Sequence, residues 1–363
     1  MPTSARVVVL PQEQAPLNVE EITIPDPGPT QVVVKQYASG ICHSQLHQMH
    51  NPRRGPTLLG HESTGIVLQA GSDVTHVEEG DTVLVTWVPR NSEMIDARPA
   101  AATLSTSLGD AVSQNVFTWA DHTIADQQYV VKADPEIAKD VTSIIGCAVM
   151  TGAGAAINTV DIRPGDSVAV FGVGGVGLSA IVGAKFRGAN PIIAIDLDEE
   201  KLEFAKGFGA THGINASEVN PVEAIHEMTS HEGFAIGGRP ITGVDFAFDC
   251  IGLKVTMEQI VPAVRPGRFG ARQGGTAVLV GVPQTTVELN AGEILGSEKQ
   301  FRGSIGGSCC PDRDFPLFLD WHQSGELDLE SLVTERYQIE DINEATTALE
   351  QGKIAGRSIL EFA

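Results

Sequence analysis

Apolar and polar positions follow two different patterns in the two halves of the chain. In residues 1–150, short apolar runs at 32–35, 65–68 and 82–85 are separated by turn-forming Pro, Gly and Asp. Short strands at such close spacing predict a small β-barrel. Residues 90–118 have no clear period and are rich in Ala, Ser and Thr, which predicts a long loop with room for one helical turn.

From Val141 the pattern becomes helical, and then short apolar runs alternate with amphipathic segments. The predicted strands are 167–171, 192–196, 244–249 and 276–281, and the predicted helices are 178–185, 199–208, 221–228 and 255–264. This alternation with short connections is typical of a doubly wound parallel sheet. Glycine-bearing stretches at 232–242 and 267–275 interrupt it and are predicted surface loops. Helices at 315–323 and 342–351 are expected to return to the first domain.

A glycine-rich turn lies at the centre of the second pattern. Strand 167–171 runs into Gly172-Val173-Gly174-Gly175-Val176-Gly177, and the next strand ends on Asp196. The first glycine allows a tight turn, the second lets a pyrophosphate approach the backbone, and the third lets the helix pack closely on the strand. A carboxylate at Asp196 can accept both hydroxyls of an adenosine ribose. The order of these elements predicts a dinucleotide site.

Composition and charge limit the classes of function. The 363 residues are too many for one core and suit two domains. A formal net charge of −22 repels phosphate backbones, so we expect no nucleic acid partner. Residues 1–10 contain neither a signal-peptide core nor a membrane span, and no membrane partner is expected. Five cysteines, an odd number, favour a reducing compartment, and we expect the cytoplasm.

Cysteine and histidine in the first domain are candidate metal ligands, although each has an ordinary structural interpretation. Cys42 and His61 lie in predicted turns, and Cys147 lies near the domain junction. A buried cysteine is often only a small apolar side chain, and a loop histidine is often only hydrogen-bonded. The spacing of these three residues alone does not define a metal motif.

A wider set of landmarks resembles the zinc-dependent alcohol dehydrogenases of the medium-chain dehydrogenase/reductase superfamily. They are Gly60-His61-Glu62, Gly80-Asp81, Gly146-Cys147 with Thr151-Gly152, the glycine turn, Asp196, Val280–Pro283, and Gly352-Lys353 with Arg357. The resemblance implies an α/β chain with a GroES-like β-barrel catalytic domain (1–150), a Rossmann domain (151–303) and a C-terminal segment (304–363) that returns to the catalytic domain.

The resemblance also implies a catalytic zinc ion held by Cys42, His61 and Cys147. Two thiolates and an imidazole suit tetrahedral Zn²⁺ and leave a fourth position for water or alcohol. By position, Ser44 matches the hydroxyl that takes the alcohol proton, and His47 matches the residue that releases it to solvent.

Further residues match the surroundings of the metal and the coenzyme. Glu62 is expected behind the metal, and Trp87 is expected in the wall of the substrate pocket. The cofactor-binding residues implied are His43, Thr151, Gly172, Gly174, Gly175, Val176, Gly177, Asp196, Lys201, Val280 and Arg357. The carboxylate of Asp196 favours NAD over NADP, because it would repel a 2′-phosphate.

The chain departs from the family pattern in three places, one of which is the greater length of the loops at 232–242 and 267–275. Residues 88–116 contain none of the clustered cysteines that bind a structural zinc, so one catalytic ion and no structural zinc are expected. Position 45 is Gln where an acid often orients the zinc-bound histidine; an amide can accept the same N–H but raises imidazole basicity less.

Several functions remain open at this point. The leading hypothesis is hydride transfer between a small primary or secondary alcohol and NAD, giving aldehyde or ketone, by a homodimer or homotetramer. An S-(hydroxymethyl)glutathione dehydrogenase and an enzyme with permanently bound NAD share the same residues. A nucleotide-binding protein without activity is the alternative from another class, since fold alone does not assign function.

Overall fold

The computed structural model describes residues 3–91, 101–137, 140–235, 238, 240–268 and 273–362. The chain divides into two compact units. Unit 1 comprises Met1–Ala148 and Cys310–Ala363, and unit 2 comprises Val149–Cys309.

Strands and helices are numbered in chain order. The strands are β1 (Thr3–Leu10), β2 (Asn18–Ile24), β3 (Gln31–Ile41), β4 (Thr57–Leu58), β5 (Ser63–Ala70), β6 (Thr82–Val85), β7 (Thr103–Thr106), β8 (Gly109–Val112), β9 (His122–Asp126), β10 (Val130–Lys132), β11 (Val168–Phe171), β12 (Ile192–Asp196), β13 (His212–Asn215), β14 (His231–Phe234), β15 (Pro240–Ile241), β16 (Phe246–Asp249), β17 (Thr276–Leu279), β18 (Gln300–Gly303), β19 (Val333–Tyr337) and β20 (Arg357–Glu361). The helices are α1 (His43–His50), α2 (Met150–Gly154), α3 (Gly175–Phe186), α4 (Glu199–Phe208), α5 (Pro221–Met228), α6 (Lys254–Ala263), α7 (Ala291–Gly296), α8 (Pro311–Ser324), α9 (Leu329–Leu332) and α10 (Ile342–Glu350).

Unit 1 contains many short strands, as its short apolar runs predict, and these strands form two sheets. One has the order β2-β1-β4-β8-β7, and the other has the order β10-β6-β5-β3-β20-β19, with β9 also paired to β3. The C-terminal strand β20 lies antiparallel to β3, so the end of the chain returns to unit 1. Ile41 and Leu46 are buried in one core cluster with Leu360, and this packing fixes the start of α1 between them.

The predicted loop at 90–118 is wrong in part. Its second half contains the antiparallel hairpin β7–β8, in which Leu104 faces the core opposite Ala111. Each of these strands contributes only one buried side chain from four residues, which is too few to produce a visible alternation in the sequence. Residues 92–100 lie outside the described residues.

Unit 2 contains a six-stranded parallel sheet in the order β13-β12-β11-β16-β17-β18. All four residues of β11 are buried, as expected for a central strand covered on both faces. Helix α3 packs closely on α2, and the missing Cβ of Gly183 permits this. A Cβ there would lie 2.8 Å from the backbone oxygen of Ala153. The doubly wound sheet predicted from the sequence is therefore present.

The predicted loops of unit 2 and one predicted helix of unit 1 compare with the structure as follows. The 232–242 stretch is not only loop, because β14 and β15 form a short antiparallel hairpin around it. Of the predicted loop at 267–275, residues 269–272 lie outside the described residues. The helix predicted at 315–323 in unit 1 begins earlier, at Pro311, since proline is well tolerated in the first turn of a helix.

One helical segment has the length and apolar character of a membrane span. It runs over Val141–Thr159 with a mean hydropathy of 1.5, and 89% of it is buried inside the protein. Burial of this extent is typical of a core helix.

Candidate metal centre and nucleotide site

Cys42, His61 and Cys147 come together in unit 1. Cys42 is the residue before α1, His61 lies between β4 and β5, and Cys147 lies in the helical segment that follows residue 140. The two sulfurs are 3.9 Å apart, and the three ligand atoms all lie within 4.8 Å of one another. Two sulfurs bound at about 2.3 Å to one tetrahedral ion would lie about 3.8 Å apart. Among the described residues, His61 Nε2 is buried without a hydrogen-bond partner, so this donor set fits a zinc ion.

The contact between the two sulfurs shifts the pKa values of Cys42 and Cys147 in opposite directions. The Cys147 thiol donates to the Cys42 sulfur, which lowers the pKa of Cys42, and the positive charge of Arg357 lowers it further. The same contact raises the pKa of Cys147, and burial adds to this effect. One thiolate is therefore already favoured before a metal ion arrives, and thiolate is the form that binds metal.

An ion pair between Glu62 and Arg357 lies beside the cysteines, and both side chains are almost fully buried. Burial raises the pKa of Glu62, whereas Arg357 opposes this rise. Burial alone would lower the pKa of Arg357, but Glu62 and the two cysteines raise it, so the guanidinium remains charged. Ala148 donates its backbone N–H to Glu62 Oε2 at 3.2 Å, which ties the carboxylate to the residue after Cys147.

The sequence interpretation missed this ion pair. The resemblance assigns Arg357 to a pyrophosphate, and that role stays a prediction; the structure adds the contact with Glu62. The two charges are 295 positions apart, so no local pattern connects them. An Arg two positions before the apolar pair Ile359-Leu360 of β20 is the signal that could have indicated a buried partner.

Trp119 is a second residue that the sequence interpretation missed. Its indole Nε1–H donates to the Gly40 carbonyl at 3.1 Å, and its backbone N–H donates to the Leu59 carbonyl at 3.0 Å. These two carbonyls lie two residues before Cys42 and two residues before His61. The fully buried ring therefore holds the two ligand-bearing segments in register.

Helix α1 carries the predicted proton-relay residues. Ser44 and His47 are three positions apart and so lie on one face of the helix. The Ser44 hydroxyl is buried and accepts or donates no hydrogen bond within the described part of the chain. His43, the predicted pyrophosphate contact, is exposed at the first position of the helix.

Trp87 lies beside the metal ligands. Its ring centroid is 6.3 Å from that of His61, with the planes at 63° in an edge-to-face arrangement. The backbone oxygen of Trp87 accepts a hydrogen bond from Asn115 Nδ2 at 2.8 Å, which fixes the loop after β6. The Trp87 ring thus forms an aromatic surface next to the ligand set.

In unit 2 the glycine turn has the geometry of a phosphate-binding loop. Gly172 has a φ of +84°, in the region that only glycine adopts readily. A Cβ at Gly177 would collide with the Gly172 carbonyl, whereas a Cβ at Gly174 would meet no described atom within 4 Å. The open space lies at the N-terminus of α3, where free backbone N–H groups favour an anion.

Asp196 is held against this turn. Its carboxylate accepts the Val173 N–H at 3.0 Å and the Leu197 N–H at 2.8 Å. The other predicted coenzyme contacts of unit 2 are Thr151 in α2, Lys201 in α4, and Val280 after β17, together with Gly175 and Val176 in α3. The structure thus assembles the predicted metal ligands in unit 1 and the glycine turn with Asp196 in unit 2.

Comparisons with known proteins agree with both units. A model of the alcohol dehydrogenase GroES-like domain matches residues 28–135, and a model of the zinc-binding dehydrogenase domain matches residues 175–324. Alcohol dehydrogenase-like 2 of Arabidopsis thaliana is 30% identical over 97% of this chain and 95% of its own length. Alcohol dehydrogenase class-3 of Cereibacter sphaeroides is 29% identical over 98% of this chain and 99% of its own.

A solved structure completes the comparison. The benzyl alcohol dehydrogenase of Acinetobacter calcoaceticus superimposes with a TM-score of 0.86 at 29% identity, over 99% of this chain and 100% of that one. The predicted fold class, a GroES-like domain with a Rossmann sheet, is confirmed. The chain is an oxidoreductase and belongs to the zinc-type alcohol dehydrogenases of the medium-chain dehydrogenase/reductase superfamily.

Proposed function

We propose that the protein oxidises a small primary or secondary alcohol with NAD, at one zinc ion held by Cys42, His61 and Cys147. The observation that carries the proposal is the convergence of two sulfurs and a buried, unpaired imidazole nitrogen, as found among the described residues. A zinc ion bound there would act as a Lewis acid that makes a bound alcohol more acidic.

The side chains around the ligands have separate tasks in this proposal. The Ser44 hydroxyl accepts the proton of the alcohol, and His47 passes it to solvent. Trp87 contacts the carbon skeleton of the substrate. The Glu62–Arg357 ion pair packs behind the two cysteines and holds them in position. Because its two charges cancel, the pair adds no net charge to the site.

Coenzyme binding is assigned to unit 2. The N–H groups at the start of α3 bind the pyrophosphate, and the carboxylate of Asp196 accepts the ribose hydroxyls. NAD is favoured because a 2′-phosphate next to Asp196 would be repelled. Thr151, Lys201 and Val280 are proposed as further contacts in unit 2, and bound NAD would supply the hydride acceptor.

Metal analysis together with an alcohol panel tests the proposal. The purified protein is expected to hold one zinc per chain and to form NADH with benzyl, short primary or secondary alcohols. Cys147→Ser is expected to lose both zinc and turnover, whereas Cys310→Ser, a matched thiol loss in unit 1 outside the ligand set, should keep both. Full turnover by metal-free Cys147→Ser would refute the proposal.

Two further measurements distinguish the alternative functions. Formaldehyde oxidation that requires glutathione would identify an S-(hydroxymethyl)glutathione dehydrogenase, and NAD that survives dialysis would identify a permanently bound coenzyme. We further propose a cytoplasmic homodimer or homotetramer that binds neither nucleic acid nor membrane. In the described part of the chain β18 is the last strand of its sheet, and Leu295 is an exposed apolar side chain. Both features support self-association, which light scattering measures.

A further inference from the structure

Gln45 contacts two members of the proposed ligand set at once. The side chain is 1% exposed and lies in the first turn of α1. Its Oε1 accepts the backbone N–H of Cys42 at 3.1 Å, and its Nε2 contacts His61 Nδ1. Both ends of one buried amide are therefore committed to groups that belong to the metal centre.

This arrangement selects one tautomer of His61. An amide offers one accepting atom and one donating group. With Oε1 bonded to Cys42, the amide N–H donates to Nδ1, so Nδ1 carries no proton and the neutral ring is protonated at Nε2. Nε2 is the nitrogen without a described hydrogen-bond partner, and it is the one left to bind a metal ion. In this hydrogen-bond arrangement the ring proton lies on the nitrogen that a metal ion would need.

Metal binding reverses the requirement. An ion at Nε2 needs that lone pair, so the ring proton moves to Nδ1. The amide then faces two donors, the Cys42 N–H and the His61 Nδ1–H, but it turns its oxygen to Cys42 and its NH2 group to His61. If the amide turns over, its oxygen accepts the His61 Nδ1–H instead, and the buried Cys42 N–H then faces the NH2 group and has no acceptor. A carboxylate in the same place would accept both.

We propose that Gln45 is a positioning residue that stabilises the Nε2-protonated tautomer of His61 and thereby weakens zinc binding. The proposal rests on the ligand set of the proposed function. Changes in the residues that orient a metal-bound histidine shift metal affinity by about 10–100-fold. We therefore expect Gln45→Glu, which keeps the size of the side chain, to bind zinc about 10–100-fold more tightly than the unmodified protein.

A matched control separates hydrogen bonding from charge. Gln48→Glu adds the same charge to the same helix, one turn away from the ligand contacts, and is expected to change zinc affinity less than about threefold. Gln45→Asp provides a second carboxylate with a shorter side chain. Folding of each variant is checked by its thermal unfolding in the presence of chelator.

Competition for Zn²⁺ against a chelator of known affinity measures the dissociation constants of the unmodified protein and the three variants, each as the full-length chain. Nitrogen NMR of ring-labelled histidine in metal-free protein reports the tautomer of His61, and a His61→Gln variant assigns its signals. We expect His61 to be protonated at Nε2 in the unmodified protein and at Nδ1 in Gln45→Glu. The inference is supported if Gln45→Glu and Gln45→Asp bind zinc more tightly than the unmodified protein and Gln48→Glu do. It is also supported if only the two position-45 variants retain zinc.

Two results would overturn it, and they differ in what they mean for the proposed function. Equal affinities in all proteins, or Nδ1 protonation in the unmodified protein, overturn the role of Gln45 and leave the metal site intact. Absence of zinc from every protein, including Gln45→Glu, overturns the metal site as well.

Discussion

Removal of Arg357 is expected to destabilise unit 1 strongly. Its side chain is 5% exposed and its partner Glu62 is 0% exposed, so Arg357→Met would leave a buried carboxylate without its cation. Breaking a buried ion pair in this way costs about 3–5 kcal/mol. For a unit of about 200 residues, this loss lowers the melting temperature by about 6–20 °C.

Tryptophan fluorescence isolates unit 1 in this experiment. All three tryptophans of the chain, Trp87, Trp119 and Trp321, lie in unit 1. Melting is followed with a chelator present, because metal binding would otherwise add to the apparent stability. Arg6→Met is the matched control: that side chain is 42% exposed in its ion pairs with Asp121 and Glu340, and its loss should cost less than about 1 kcal/mol.

A double variant separates charge from packing. Glu62→Gln combined with Arg357→Met removes both charges and keeps an acceptor for the Ala148 N–H. We expect it to melt above Arg357→Met, because no uncompensated charge remains buried. The reasoning is refuted if Arg357→Met melts within about 2 °C of the unmodified protein, or if the double variant melts no higher than the single one.

Three further changes test other parts of the molecule. Asp196→Ser removes the charge held against the glycine turn and should shift the ratio of kcat/KM for NAD over that for NADP by about 10–100-fold toward NADP, because juxtaposed like charges cost several kcal/mol; an unchanged ratio in steady-state assays would contradict the assignment. Ser44→Ala should lower kcat by about 10²–10⁴-fold at unchanged zinc content, and an unaltered kcat would exclude Ser44 from proton transfer. In unit 2, burial alone would raise the pKa of Asp245, but hydrogen bonds from Arg265 and Ser167 lower it. The stability from this lowered pKa is present above the ordinary value of about 3.9 and is lost as the pH falls through the lower folded value. Asp245→Asn should therefore lower the free energy of unfolding by about 3–5 kcal/mol at pH 7. Between pH 7 and 2.5 the variant should then lose less stability than the unmodified protein does. Calorimetry over this pH range measures both effects, and an unchanged pH dependence of stability would count against the pair.

The sequence by itself determined the fold class and the candidate chemistry. The alternation from β11 onward and the glycine turn are local patterns, because strand, turn and helix signals depend on neighbours in the chain. The ligand set was reached through a resemblance, since nothing in the spacing of Cys42, His61 and Cys147 requires that they meet. The short hairpin β7–β8 escaped detection for a related reason: its strands bury too few side chains to show a period.

Only the tertiary structure decided how the site is held. The buried pair of Glu62 with Arg357 and the bonds of Trp119 to both ligand-bearing segments join residues far apart in the chain, so no local signal contains them. For Gln45, the bond to the Cys42 N–H three positions earlier is a local helix-capping contact, but only the structure shows that the same amide also reaches His61. Whether one acceptor must serve two donors depends on three-dimensional contacts, and this is why the folded chain was needed to derive it.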